Sequence, residues 1–447
     1  MKDSVYSPGA GHAPPVLAGR DELLDSWRMM LADVASMGRL RAEDTILVGP
    51  RGVGKTVTMA AFAEIAESKG FDVVSLQSSG GQAGLVPSLL HEANDRIESG
   101  ASVWRRLKRV LDQIAGVSFG VAGVSASVSK HQTQTVAPTI VHPGTLAGAL
   151  ATLALDIQMD HPTGGLMVCV DEIQSSADSD LALIAAVLHQ LNGNHRPAPV
   201  VFAATGLPKT LDVLAKAKVT HAERLFYVKG IPVTLPADAA KYAVVEPAAR
   251  VGVVWDSDAA DLIVAASKGY PAHLQVYAHH TWRVATGPAA ITFADAQVGI
   301  EAGRDEIVSR ALAPRWERMT DRRAEYTTAI ALCGGEASTS TISAMLGRSA
   351  QEISWIREQA IAAGDVCVPQ RGRVELAFPA MADYAIANYS KTVSESSLPL
   401  VPLEEMQSAL DSRTGKEPSR DVGFATLQHP PEEEPTPGGA NLGGPSI

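Results

Sequence analysis

Between residue 17 and about residue 235, short apolar runs alternate with stretches in which apolar positions recur every three or four residues. Thr45 to Val48 (TILV) reads as a short buried strand, Leu166 to Val170 (LMVCV) and Val200 to Ala204 (VVFAA) are continuously apolar over the length of a strand, and Phe71 to Leu76 alternates. Unbroken apolar strands are those covered on both faces. Helical periodicity follows TILV, with Val57, Ala60, Ala61 and Ile65 assigned to the core, and returns over Leu146 to Met159. Strands alternating with helices predict an α/β class, a parallel sheet flanked by helices. From Ala237 to about Ala313 the pattern is helical throughout, with Trp255, Tyr270, Tyr277 and Trp282 as packing anchors, and reads as a small helical lid. Residues 314 to 390 read as three helices, around Ala324 to Leu332, Thr341 to Leu346 and Ala350 to Ala363. They are followed by alternation from Val366 to Phe378 broken at Gly372, a winged-helix pattern.

Three stretches depart from this rhythm. Residues 1–16, rich in Gly, Pro and Ser, read as a flexible lead-in ordered from near Val16. Val117 to Val128, with Gly120 and Gly123, and the stretch on to Gly144 suggest an inserted hairpin, either plain surface or a loop that touches a partner. After Ser390 the composition turns to Ser, Glu, Pro and Gly, so residues 391–447 are expected to be a disordered tail. The expected organisation is therefore 1–16, 17–235, 236–313, 314–390 and 391–447, in keeping with 447 residues and about 100–200 residues per domain.

Composition narrows the picture modestly. No run approaches the roughly 18 apolar residues of a membrane helix, and the N-terminus lacks the apolar core of a secretory signal, so a cytoplasmic location away from membranes is expected. The net charge of -11 argues against coating nucleic acid by bulk electrostatics, though a local basic patch stays open. Cys169, Cys333 and Cys367 stand singly among apolar neighbours and read as small buried hydrophobes.

The chemistry is concentrated in three places. GPRGVGKT, residues 49 to 56, has the G-x-x-x-x-G-K-[ST] form and sits between a strand and a helix. Gly49, Gly52 and Gly54, with Pro50, Arg51 and Val53 between them, let backbone amides turn inward on a polyphosphate. Lys55 supplies a point charge for the terminal phosphates, Thr56 a hydroxyl for magnesium, and Val57 continues the helix whose N-terminus faces the ligand. The apolar strand LMVCV ends in Asp171 and Glu172, a magnesium-holding carboxylate and a general base for water. VVFAATGLP delivers Thr205 beside that strand end, either as a sensor of the γ-phosphate or as a cap of the next segment. A nucleoside triphosphate with Mg2+ is the implied ligand.

The order GRDE, GPRGVGKT, VDEIQ and AATGLP, followed by a helical lid and a winged helix, resembles the AAA+ P-loop ATPases of the Orc1/Cdc6-like and STAND-related group over residues 17 to 385. The resemblance implies an ATPase, with ATP rather than GTP, Leu17 to Arg20 against the adenine, and Thr205 as the first sensor. It also implies a trans-acting arginine, for which Arg224 in HAERLF is the nearest match, a surface salt bridge being the plainer account. The initiators of that group carry a lid arginine near GYPAHLQ, where this chain has His273; Arg283 substitutes, or the lid is weakly coupled. On the winged helix, Ile353, Ile356 and Ala360 form the core stripe of Ser349 to Gly364, leaving Gln351, Glu352, Arg357 and Glu358 outward. Arg315, Arg318, Arg322, Arg323, Arg371 and Arg373 could reach DNA phosphates from the sides. The expected function is thus an ATP-driven molecular switch that couples nucleotide state to double-stranded DNA through the winged helix, the alternative being a nucleotide-gated scaffold for a protein partner or self-association without DNA binding.

Overall fold

The computed structural model describes residues 3–9, 11–77, 84–119, 142–193, 197–219, 222–285 and 289–414. Its central sheet has five parallel strands in the order β2-β3-β4-β1-β5: β1 Thr45–Val48, β2 Phe71–Gln77, β3 Gly165–Asp171, β4 Val200–Gly206 and β5 Tyr227–Gly230. The register sets Leu47 opposite Thr205, Val170 opposite Ala204 and Gln77 opposite Asp171, so β1, β3 and β4 all finish at one edge. The four expected strands are in place. The fifth went unread because YVKG is an exposed to half-buried edge strand with no apolar run.

Each face of the sheet is buried under helices. Leu85–Glu98, Trp104–Phe119, Pro143–Asp160 and Asp178–Asn192 cover one side, and Asp21–Met37 with Lys55–Ser68 cover the other. In Lys55–Ser68 the buried apolar positions are Met59, Phe62 and Ala66, one step away from the expected Val57, Ala60, Ala61 and Ile65. The helix starts at Lys55 with that side chain turned inward, and a period of 3.6 then carries positions 58, 59, 62 and 66 to the core. Phe62 stacks on Trp27 with centroids 4.2 Å apart, and the Trp27 Nε1–H donates to the Phe62 carbonyl at 3.1 Å. At the far edge of the sheet the buried Arg39–Asp44 ion pair is joined by Asn192, and Asp44 accepts the Phe202 amide at 3.1 Å.

The lid comprises Ala237–Ala249, Ser257–Ser267, Pro271–Val284 and Phe293–Ile307, with Trp255, Tyr277 and Trp282 in its core as expected. Tyr270 packs instead in the cluster on the sheet side. Phe293–Ile307 runs through a π-turn, Val308–Leu312, straight into Ala313–Glu317, so no linker separates lid from C-terminal unit at 313/314. That unit has helices Asp321–Leu332, Thr339–Met345 and Ala350–Ala363. Its antiparallel sheet runs in the order Glu336–Ser338, Arg373–Leu376, Val366–Cys367, with Gly372 at φ 82 in the turn. Glu336–Ser338, three residues between helices, is too short for alternation to show.

Both expected flexible ends need correction. Tyr6 is 3% exposed, donates its hydroxyl to the Val244 carbonyl at 2.5 Å and accepts from Trp255 Nε1 at 2.8 Å, so order begins well before Val16. One aromatic ring seated in the lid core outweighs the Gly and Pro around it. At the other end Met381–Glu395 and Leu403–Thr414 are helices, Met406 is buried, and Glu325 accepts the Val401 amide at 2.9 Å. The amphipathic LEEMQSAL was masked by the Pro, Glu and Gly content of residues 415–447, which lie outside the described residues. Of the expected hairpin insertion, Val117 to Phe119 finish a helix rather than open a strand, Pro143 and Gly144 begin the next helix, and 120–141 lie outside the described residues. No helix among the described residues is long and apolar enough to cross a membrane.

Candidate functional site

β1 ends at Val48 and helix Lys55–Ser68 begins six residues after Gly49, leaving the glycine loop to make the turn. Gly52 at φ 79 and Gly54 at φ 91 hold left-handed conformations that glycine adopts freely. A Cβ on Gly52 would stand 2.3 Å from Tyr270 Oη, and that hydroxyl donates to the Arg51 carbonyl, so a lid residue clasps the loop from outside. Lys55 is 9% exposed, and its Nζ donates to the Pro50 carbonyl at 2.7 Å. Burial pushes its ammonium down to about 8, against the pull of Glu172 and Asp171.

Asp171 closes β3. It accepts the Thr56 hydroxyl at 3.2 and 3.3 Å and the Thr205 hydroxyl. Glu172 follows at φ 49, ψ 48, a left-handed conformation costing a non-glycine residue about 1–3 kcal/mol, and its N–H donates to Thr205 Oγ1 at 3.0 Å. Thr205 is fully buried and therefore stitches the two acidic residues together. Oxygen donors from Thr56 and Asp171 meeting beside a phosphate cradle are the kind of set that a hard divalent cation takes, with phosphate and water oxygens completing its shell.

A cavity of about 720 Å³ opens over this arrangement, within the usual range of roughly 300–1,000 Å³ for ligand pockets. Arg51, Gly52, Val53, Gly54, Lys55, Thr56, Val57, Glu172 and Thr205 line it, as do Leu17 and Arg20. Arg20 is 6% exposed, its guanidinium donating to the carbonyls of Gly19 at 2.9 Å and Val53 at 3.2 Å, with its pKa lowered by burial. Gly49 and Pro50 stand behind the loop, Gly49 donating its N–H to the Gly206 carbonyl at 3.2 Å. Arg224 is not brought to the site. It is exposed on Ala222–Leu225, just before β5, and the parallel pairing of β5 with β1 places it at the sheet edge opposite Gly49. Arg283 is exposed near the far end of its helix. Sequence reasoning missed the cavity's outer wall, made by parts of Ser7 to Val16, Tyr270, His273 and Phe378. Of these, the sequence offered Tyr270 as a packing anchor and His273 as the residue near the place of a lid arginine.

Four of the six arginines considered for DNA are engaged within the chain. Arg315 and Arg323 pair with the buried Asp365, Arg322 joins Arg348 on the fully buried Glu325, and Arg373 pairs with Glu336 at 2.5 Å. Arg318 and Arg371 remain exposed. On helix Ala350–Ala363 the core stripe is Ile353, Ile356 and Ala360 as expected, Arg357 is half-buried, and the outward face holds Gln351, Glu352, Glu358 and Trp355, the last 58% exposed.

Residues 16–202 match the AAA ATPase domain model, and residues 309–385 match a domain of unknown function (DUF8462). Among solved structures, the chain resembles the ORC2 protein of Aeropyrum pernix, with a TM-score of 0.52, 14% identity, and coverage of 88% of this chain and 99% of that one. It also resembles a Walker-type ATPase of Pyrococcus abyssi, with a TM-score of 0.50, 16% identity, and coverage of 83% and 96%. At these identities the likeness is one of fold. No curated protein matches the chain closely enough in sequence to count as a relative.

Proposed function

We propose, for a chain whose core is an AAA+ P-loop ATPase domain in an Orc-like fold, that it binds ATP with magnesium in the cavity above Gly49 to Thr56, hydrolyses it, and resets its C-terminal unit in response. In this reading Lys55 and the loop amides hold the phosphate chain, while Thr56 and Asp171 hold the metal, which neutralises developing charge when bound. Glu172 orients water and takes its proton. Thr205 keeps the two carboxylates in register through its bonds to Asp171 and the Glu172 amide. Arg224 could serve a site only in a neighbouring copy.

The observation that carries the switch is Phe378. This residue follows the C-terminal strand Arg373–Leu376, yet it lines the nucleotide cavity and packs 5.9 Å from the Tyr270 ring, whose hydroxyl grips the Arg51 carbonyl of the phosphate loop. The Arg315 guanidinium lies 4.1 Å from the centre of the Phe378 ring and donates to the Gly364 carbonyl at 3.0 Å. Lys209, just past the Thr205 strand, reaches the Glu358 carbonyl at 3.1 Å. A shift of the loop on a polyphosphate therefore bears on the C-terminal unit through packed neighbours. Phe378→Ala is expected to change ATP turnover or ADP release by about two- to thirtyfold, the usual span of coupling energies. Unchanged nucleotide kinetics in a variant with wild-type circular dichroism would remove Phe378 from the switch.

For the output surface, protein docking is favoured over double-stranded DNA. Arginines held by Asp365, Glu325 and Glu336 are poorly placed to neutralise phosphates, and carboxylates flanking an exposed tryptophan repel them, whereas exposed Trp suits a protein interface. Fluorescence anisotropy with a labelled duplex at about 0.1 M salt is expected to show no saturable binding. Saturable, salt-sensitive binding abolished by Arg318→Glu together with Arg371→Glu would restore the DNA reading.

A further inference from the structure

Helix Ala350–Ala363 is held to its unit by Ile353, Ile356 and Ala360, and on its outward face it presents one large ring. Trp355 is 58% exposed, whereas Trp27, Trp104, Trp255 and Trp282 are buried and Trp316 is half-buried. Gln351, Glu352, Glu358 and Gln359 stand three or four residues from it, so the ring is an apolar knob on a polar, acidic stripe. That stripe lies beside the ATPase core, because Lys209 donates to the Glu358 carbonyl at 3.1 Å. The described chain ends close by. Helix Leu403–Thr414, with Met406 buried, packs on Thr339–Met345, which packs in turn on Ala350–Ala363. Two helix spacings of about 8–10 Å each therefore separate it from the helix of Trp355. Residues 415–447 lie outside the described residues, and in sequence they hold one apolar run, Val422 to Leu427 (VGFATL), and one aromatic residue, Phe424. The chain from Thr414 to Phe424 can span at most about 33–36 Å, more than the two helix spacings require.

We propose that Val422 to Leu427 seats on the Trp355 face of the same molecule, Phe424 against the Trp355 ring, and covers that face until a protein partner displaces it. The inference rests on the reading of the face as a protein-docking surface and names what occupies it in the free chain. Two aromatic rings in contact remove apolar area from water and add a favourable ring-to-ring term. A short tether holds the run at an effective concentration on the order of 1 mM, so a contact too weak to persist between separate molecules is largely filled within one. A second copy or a separate protein must find the face from solution without that advantage. Since Lys209 follows the Thr205 strand and reaches Glu358 beside the seat, the nucleotide site and the covered face share one helix.

The test is quenching of tryptophan fluorescence in the full chain by acrylamide, which is uncharged and so is not repelled by Glu352 and Glu358. Wild type, Phe424→Asp and Phe424→Leu are each compared with a counterpart that also carries Trp355→Phe. The difference within each pair isolates Trp355, the other tryptophans being buried or half-buried. In Phe424→Asp the Trp355 signal is expected to be quenched about three- to tenfold more readily than in wild type, and in Phe424→Leu to stay near wild type, at every protein concentration from about 1 to 50 µM. Equal quenching of Trp355 in wild type and Phe424→Asp would overturn the seat. Protection of Trp355 that disappears on dilution would also overturn it, and would give the face to a second copy. Saturable binding of a DNA duplex that Trp355→Phe abolishes would instead remove the docking reading on which the seat stands.

Discussion

Glu172→Gln is expected to lower steady-state release of phosphate from ATP by about a hundredfold or more while leaving ATP affinity within a few fold of wild type. The substitution keeps the side chain's size and its backbone N–H to Thr205 Oγ1, so the left-handed turn at φ 49 should persist. It removes the capacity to take a proton, together with the carboxylate charge that acts on Lys55. A residue held in a costly conformation by a buried hydroxyl, at the end of a strand beside the phosphate loop, is where strain serves placement of a reactive group. Phosphate release measured under saturating Mg-ATP, alongside equilibrium binding, separates the two effects. Wild-type turnover would move water activation to another group, and lost binding with lost turnover would make Glu172 a binding residue.

The parts of the fold and the site that could be read from sequence are those fixed by neighbours along the chain. Two unbroken apolar runs of strand length, bounded by turn residues, read as buried strands, and GPRGVGKT between a strand and a helix leaves the backbone little choice. Asp171 and Glu172 are legible for the same reason, standing where an apolar run ends. What could not be read is what tertiary packing decides. Tyr270 and Phe378 reach the loop from more than 200 residues away, one as a hydrogen-bond clasp on Arg51 and the other as an aromatic wall. The arginines of the C-terminal unit looked available until Asp365 and Glu325, acidic residues at 2% and 0% exposure, proved to be their partners. The lead-in misled because composition counts Gly and Pro but does not weigh one buried Tyr6.

The second large effect concerns Lys55. Removing the ammonium from a buried phosphate contact leaves the ligand's charge uncompensated, so Lys55→Ala should weaken ATP binding by about two orders of magnitude or more. Its pH dependence has a definite sign. In the ligand-free site the ammonium is held down to about 8, and bound phosphates raise that value. Below pH 8 the proton is already present and affinity should be flat; above it, binding must take up a proton, and affinity should fall by up to about tenfold per pH unit. Titration of the full chain with Mg-ATP at pH 7 and at pH 9 therefore tests the phosphate site most directly. Tight binding at pH 7 that weakens at pH 9, and weak, pH-insensitive binding by Lys55→Ala, is the predicted result. Equal affinity in both proteins at both pH values would contradict the site.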